Sequence, residues 1–342
     1  MNANIIKKKI IQLTKINYKK KNINQHIKNS FKKDNYKKIE NKNLIFFYKK
    51  KNKKKTILFV AHLDVARSEK ARPPVLKKNR IYAAGALDDL AGCSMLIALK
   101  NYVSKNSLDT NVEFLFLKKE ETLDVVLKKK IVSKNKNIIF IDGTSSDRII
   151  TSSYYWKIFD IKLLNQIDTT SFSNIHKVDY FIHKIENSIK DINKKLKKVC
   201  KVYHLDISDK KDFIETIYFP KKIRVYCRSK NSFNLYMVKK TIRDVLKKNK
   251  IKLNVKLLKE QDGFRYEKNN VLLKKFKKIL NKNRNKYYLS WGGYAPMKAF
   301  RTKNIFLYGP GHGKYPHSSK EFYDLKDGNL VLKNLIDLID SF

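Results

Sequence analysis

The sequence predicts an α/β protein: a sheet flanked by helices and interrupted by a smaller α+β insertion. Three observations carry that expectation. Short apolar runs at residues 57–60, 112–117, 138–141 and 305–308 are separated by helical stretches, the alternation of α/β proteins. Each of these runs ends in a segment bearing carboxylates or imidazoles. Between residues 151 and 258 that ordering stops, and a different set of helices and strands takes over. With 342 residues, two domains are expected, the first split by the second into residues 1–150 and 259–342.

From the start, residues 1–42 read as one or two basic helices that serve as packing. Ile5, Ile6, Ile10, Ile11 and Leu13 form a partial apolar stripe there. Residues 44–48 and 56–60 read as strands separated by the lysine-rich turn 49–55. His62 and Asp64 follow. In an extended chain residues i and i+2 point to the same side, so the imidazole and the carboxylate face one place together.

Past Pro73 and Pro74, the stretch Gly85-Ala86-Leu87-Asp88-Asp89-Leu90-Ala91-Gly92 leads into an apolar helix at 93–103. An aspartate pair at a helix start reads equally as an N-cap and as part of a site. The run 112–117 leads to Glu120-Glu121, and 138–141 leads to Asp142-Gly143. In the insertion the pattern gives helices at 184–199 and 233–248 and strands at 223–227 and 251–257. A helix at 270–280, the loop 290–293 and a closing helix at 327–339 complete the first domain. The run 305–308 ends in Gly309-Pro310-Gly311, followed by His317-Ser318-Ser319-Lys320-Glu321.

In open α/β sheets ligands bind beyond the carboxyl ends of the strands, so these endings are expected to converge. His62, Asp88, Glu121, Asp142 and His317 then form a set of two histidines and three carboxylates. That is the N/O donor inventory of a catalytic zinc pair, in which one carboxylate can bridge both ions. Of ten glycines, Gly85, Gly92, Gly143, Gly292, Gly293, Gly309, Gly311 and Gly313 lie in these segments, where the backbone must turn sharply or approach a ligand.

The formal net charge of +46 invites a nucleic-acid reading. Lysine is enriched together with Asn, Ile, Phe and Tyr, however, while Gly and Pro are scarce, the split between AT-rich and GC-rich codons. Lysines are spread along the chain, and neither helix-turn-helix nor zinc-finger spacing occurs. No specific nucleic-acid partner is expected. Cys93, Cys200 and Cys227 lack paired spacing, which argues against a disulfide framework or a thiolate zinc site. No apolar run approaches about 20 residues, and the first residues lack a signal-peptide core, so a cytoplasmic protein without a membrane partner is expected.

Taken together, Ala61-His62-Leu63-Asp64, the 85–92 stretch, Glu120-Glu121, Asp142 and the segment from Gly309 through His317 to Glu321 resemble the co-catalytic di-zinc exopeptidase and deacylase family. Carboxypeptidase G, peptidase T, acetylornithine deacetylase and succinyl-diaminopimelate desuccinylase represent it. The resemblance implies a zinc-exopeptidase-like mixed sheet flanked by helices, with residues 151–258 as an inserted lid and dimerisation domain. It implies hydrolysis of an amide or peptide bond in a short peptide or N-acyl amino acid by a homodimer carrying two divalent ions, zinc or else cobalt or manganese. Asp88 would bridge the ions, His62 and Asp142 would complete one, and Glu121 and His317 the other. Glu120 would be the general base, and Asp64 the partner holding His62. His176 would be the lid histidine that steadies the oxyanion, with His183 and His204 as competitors. Arg228 would grip a substrate carboxylate, and Gly292 and Gly293 would border the substrate. The strand aspartate expected beside Arg228 and the aspartate expected in the 292–296 loop are both missing. The alternative from another class is a basic nucleic-acid- or polyanion-binding protein on an inactive hydrolase fold.

Overall fold

A computed structural model of the chain describes residues 4–49, 56–66, 72–106, 108, 110–121, 127, 131, 136–143, 145–163, 201–206, 211–214, 217–220, 222–229, 234–261, 263–265, 270–281, 288–291, 296–300, 302 and 304–342, with the helical residues 183–184, 187–188, 190–192 and 194–195. Its helices are α1 (Asn4–Tyr18), α2 (Ile23–Phe31), α3 (Leu90–Lys105), α4 (Leu235–Lys248), α5 (Val271–Asn281) and α6 (Leu325–Asp340). Its strands begin with β1 (Lys37–Glu40), β2 (Leu44–Tyr48), β3 (Thr56–His62), β4 (Val75–Lys77), β5 (Arg80–Tyr82), β6 (Asn111–Leu117), β7 (Asn137–Phe140) and β8 (Ile149–Ser153). They continue with β9 (Tyr155–Leu163), β10 (Lys201–Asp206), β11 (Lys211–Ile214), β12 (Ile217–Pro220), β13 (Lys222–Ser229), β14 (Leu253–Gln261) and β15 (Phe264–Arg265). The last are β16 (Tyr288–Trp291), β17 (Ile305–Tyr308), β18 (Gly313–Lys314) and β19 (Phe322–Asp324).

The chain divides into two compact units. The first holds the residues up to 152 and most of those from 265 on, and the second holds 153–264. In the first, the main sheet runs β1-β2-β6-β3-β7-β17-β8. Strands β6, β3, β7 and β17 are parallel to one another, while β1, β2 and β8 pair antiparallel. Buried side chains run along almost the whole of β3, β6 and β7, as expected of parallel strands covered on both faces. From β3 the chain passes through α3 to β6 on one side, and β7 then lies on the other side of β3. This reversal opens a crevice at the carboxyl end of β3.

Residues 44–48 and 56–60 are both strands, as expected, and in the sheet β6 lies between them. A strand buried along its whole length, as β6 is, belongs inside the sheet, so β2 is displaced outward.

Side chains of α1, α2, α3, α5 and α6 join those of the sheet in one apolar core. The N-terminal helices contribute Ile6, Ile10 and Leu13 from α1 and Ile27 and Phe31 from α2, all buried. Phe31 stacks on Phe47 of β2 with ring centroids 3.9 Å apart. Lys100 of α3, itself buried, pairs with Asp34 at 2.7 Å. Helix α6 starts where Asp324 accepts hydrogen bonds from the N–H groups of Lys326 and Asp327. A small antiparallel sheet, β18-β19-β5-β4, pairs Phe322 with Tyr82 and so brings the loop after β5 beside the loop between β18 and β19.

In the second unit β10, β13, β9 and β14 form an antiparallel sheet, and β11 and β12 form a separate hairpin. Val238, Ile242, Val245 and Leu246 of α4 pack with Phe159, Ile161, Val225 and Cys227 of that sheet in its own core.

Candidate metal centre

Because β3, β6, β7 and β17 are parallel, the segments that follow them all leave the same edge of the sheet. His62 is the last residue of β3 and is fully buried. Its Nδ1 lies 2.9 Å from the Asp64 backbone carbonyl, and its Nε2 lies 2.9 Å from Asp88 Oδ1. The other carboxylate oxygen of Asp88, Oδ2, lies 2.8 Å from His317 Nε2. One carboxylate therefore stands between the Nε2 atoms of two histidines that come from opposite ends of the sequence. Glu121 Oε1 is 3.2 Å from His317 Nε2, yet it is buried without an aligned hydrogen bond. Donor atoms of His62, Asp88 and Glu121 all lie within 4.8 Å of one another.

The adjacent aspartates do two different jobs. Asp89 is the N-cap of α3: its Oδ1 accepts from Gly92 N at 3.0 Å, and its Oδ2 accepts from His62 N at 3.0 Å. It ties the helix start to the end of β3. Asp88 is left to face the imidazoles, so the N-cap reading holds for Asp89 alone.

The Asp64 carboxylate accepts from Glu120 N at 3.1 Å and from Glu121 N at 2.8 Å, while its nearer contact to His62 runs through the backbone. Its Oδ1 stands 3.4 Å from His62 Nδ1. The residue thus holds both the imidazole and the turn that presents the two glutamates. Glu120 and Asp142 are buried beside the cluster.

The electrostatics are those of too many carboxylates in too little water. Burial pushes the Glu120 carboxyl well up, reinforced by Asp142, Asp88 and Glu121 against the opposing pull of His62. Burial, then Asp88, raises Asp142 to about 7. For Asp88 the cost of burial is outweighed by hydrogen bonds to His317 and His62, which hold its carboxyl below the usual range. Burial disfavours charge on His62, but Asp64 and Asp88 outweigh it and its pKa is raised. The Asp88 carboxylate, hydrogen-bonded to it, and the nearby Glu121 carboxylate raise His317 to about 10. Protons on imidazoles between carboxylates occupy positions that cations can take, and an orphaned buried glutamate oxygen adds a further donor. The residues therefore fit divalent ions, and their N/O character suits zinc.

One contributor carries no signal in local sequence pattern. Glu321, 2% exposed, accepts from Gly85 N at 3.0 Å through Oε2, and from Leu87 N at 2.8 Å and Asp88 N at 3.1 Å through Oε1. It fixes the loop that bears Asp88 from more than 230 residues away, and only its place at the end of the His317 segment hints at this. Gly85, at φ +74°, turns that loop where a Cβ would meet Val65 at 2.5 Å.

His176, Gly292 and Gly293 lie outside the described residues. Arg228 lies in β13 of the second unit, paired with Trp156 of β9 and Lys201 of β10; its side chain also lies outside the description.

The donor set fits divalent ions, and the fold is one shared by zinc exopeptidases. Residues 43–211, which include His62, Asp88, Glu120, Glu121 and Asp142, match the model of peptidase family M28. Among solved structures the chain is similar to a tripeptidase from Staphylococcus aureus, with 15% identity over 100% of this chain and 98% of that one and a TM-score of 0.78. It is also similar to aminopeptidase PepT from Bacillus cereus, with 12% identity, coverage of 99% and 98%, and a TM-score of 0.73. An M20 family metallo-carboxypeptidase from Sulfolobus solfataricus gives 18% identity, 97% coverage of each chain and a TM-score of 0.65. No curated protein sequence matches the chain. The family match, which spans residues 43–211, and the fold both support a metal-dependent peptidase. Among the described residues no helix is long and apolar enough to cross a membrane.

Proposed function

We propose that the chain is a two-metal hydrolase that cleaves the amide or peptide bond of a short peptide or an N-acyl amino acid. The observation that carries this reading is Asp88, whose two carboxylate oxygens each face the Nε2 of a different histidine. Asp88 would bridge the ions, with His62 and Asp142 on one and Glu121 and His317 on the other. Two such ions lower the pKa of water and polarise the scissile carbonyl.

The chain's own residues do the rest. Glu120, buried and raised in pKa, is a base strong enough to take the proton of the attacking water and an acid able to hand it to the departing amine. Asp64 keeps Glu120 in place by accepting its backbone N–H. Asp89 and Glu321 hold the two ends of the Asp88 segment, at His62 and at Gly85. The second unit would act as the lid and the dimerisation domain, with His176 and Arg228 contacting substrate and Gly292 and Gly293 bordering it.

The test is the Glu120→Gln variant. It should keep the metal content of the parent and lose activity on a panel of di- and tripeptides and N-acetyl amino acids by about 10²–10⁴-fold. A variant that keeps its activity would remove Glu120 from the reaction.

A further inference from the structure

Two adjoining cavities lie on the small sheet β18-β19-β5-β4, of about 530 and 200 Å³, and share Tyr82 and Ser319 as lining. Arg72, Lys77, Arg80, His312, Lys314 and Lys320 line them, and among the described lining residues none is an aspartate or glutamate.

In a chain this rich in lysine, basic walls alone would say little. The arginines say more. Of 77 basic residues ten are arginine, leaving 67 lysines, so an arginine is the rarer choice here. Two of the ten, Arg72 and Arg80, line these two small cavities. The Arg80 guanidinium stacks over the Phe322 ring at 4.7 Å and makes a long ion pair of 3.8 Å with Asp324, whose carboxylate also caps α6. The ring backs the guanidinium on one side, and a planar guanidinium can recognise a carboxylate through paired N–H groups.

The cavity walls are built from the same loops that carry His317 and Asp88. Tyr315 and Ser319 each lie two residues from His317, and Tyr82, Ala83 and Ala84 lead directly to Gly85 and the Asp88 loop. Gly313 lies so close to Leu87 that a Cβ there would stand 2.8 Å from its side chain. A volume of 530 Å³ is within the range of small-molecule sites, enough for a short segment of peptide.

We propose that this groove selects substrates carrying a negative charge beyond the scissile bond, that is, short peptides or acylated amino acids with glutamate or aspartate side chains. The inference rests on the hydrolase reading above and adds the substrate class. Both ligand-bearing loops border the groove, so an acidic side chain held by Arg80 and Lys320 would sit next to the reacting bond.

The experiment uses the zinc-loaded full chain and tripeptides that differ only in Glu against Gln. At low ionic strength kcat/KM should favour the Glu peptide by roughly tenfold, the size of one partly exposed charge-assisted contact. The preference should reside in KM and shrink as salt rises. In Arg80→Gln/Lys320→Gln the ratio should fall to about one, and Lys314→Gln/Lys320→Gln, which spares the arginine on Phe322, should give a smaller fall. Equal ratios in parent and variants, or no preference in the parent, overturn the proposal. If no peptide is cleaved at all, calorimetric titration with N-acetyl-glutamate separates the two claims. Binding that is lost in Arg80→Gln/Lys320→Gln upholds the groove while the hydrolase reading fails. Absence of binding, or equally tight binding of inorganic phosphate, overturns the acidic-substrate assignment.

Discussion

Glu321 offers the sharpest test of how the Asp88 loop is held. Its Oε1 accepts two N–H groups, from Leu87 and Asp88, and its Oε2 accepts one, from Gly85. In Glu321→Gln the amide oxygen can keep the pair at Leu87 and Asp88, but the NH2 group then faces the Gly85 N–H, donor against donor. One buried N–H without a partner costs about 1–3 kcal/mol, so a loss near 2 kcal/mol is expected. Glu321→Ala removes both acceptor oxygens, and with them all three hydrogen bonds, from a residue 2% exposed, and the expected loss rises to about 3–6 kcal/mol. At roughly 2–4 °C per kcal/mol for a unit of this size, the midpoint of the metal-free protein should fall about 4–8 °C in the first variant and clearly further in the second. Because the same loop carries Asp88, zinc affinity should drop about 10–100-fold in a competition titration against a chromophoric chelator. A Glu321→Ala protein that melts within a degree of the parent and binds zinc as tightly would refute the reasoning.

Three other outcomes follow from the same geometry. Asp64→Ala leaves the N–H groups of Glu120 and Glu121 without their acceptor, so zinc affinity should fall about 10–100-fold while the fold persists, read by chelator competition and circular dichroism. A Cβ on Gly92 would stand 2.2 Å from Asp89 Oδ1 and 2.5 Å from the Ile141 carbonyl, so Gly92→Ala should displace the carboxylate that joins α3 to His62 and lower the thermal midpoint; an unshifted midpoint would contradict it. The third concerns pH. Asp142 and Glu321 are both raised to about 7, so the stability they lend the metal-free protein is complete below about pH 4 and is lost as pH rises through 7. Zinc requires the ionised ligands, so the rise in midpoint on adding zinc should be larger at pH 8 than at pH 5; a larger rise at pH 5 would contradict the sign.

The parts of this site legible in the sequence are those where one strand and its ending are contiguous. Apolar runs of buried parallel strands stand out from a lysine-rich background, and His62, Glu121 and Asp142 sit within four residues of the strands that place them. The order of the strands was not legible, since nothing in residues 44–60 records that β6 inserts between β2 and β3. Glu321 escaped for a related reason. Its partners are backbone N–H groups in a distant loop, and a backbone acceptor leaves no mark on the residues it holds. The small sheet of two- and three-residue strands is likewise too short to show periodicity, yet it brings the His317 loop and the Asp88 loop together. Asp64 was legible as a partner of His62, but not as the acceptor for the glutamate turn, because that bond joins two different strand ends.

The account stands on Asp88 as a bridge between two cations. Elemental analysis of the full chain, purified without denaturant or chelator and compared with Asp88→Ala, tests it most directly. The account predicts about two divalent ions per chain in the parent and loss of both in the variant. A parent that binds no metal, or an Asp88→Ala protein that retains two ions, would contradict it.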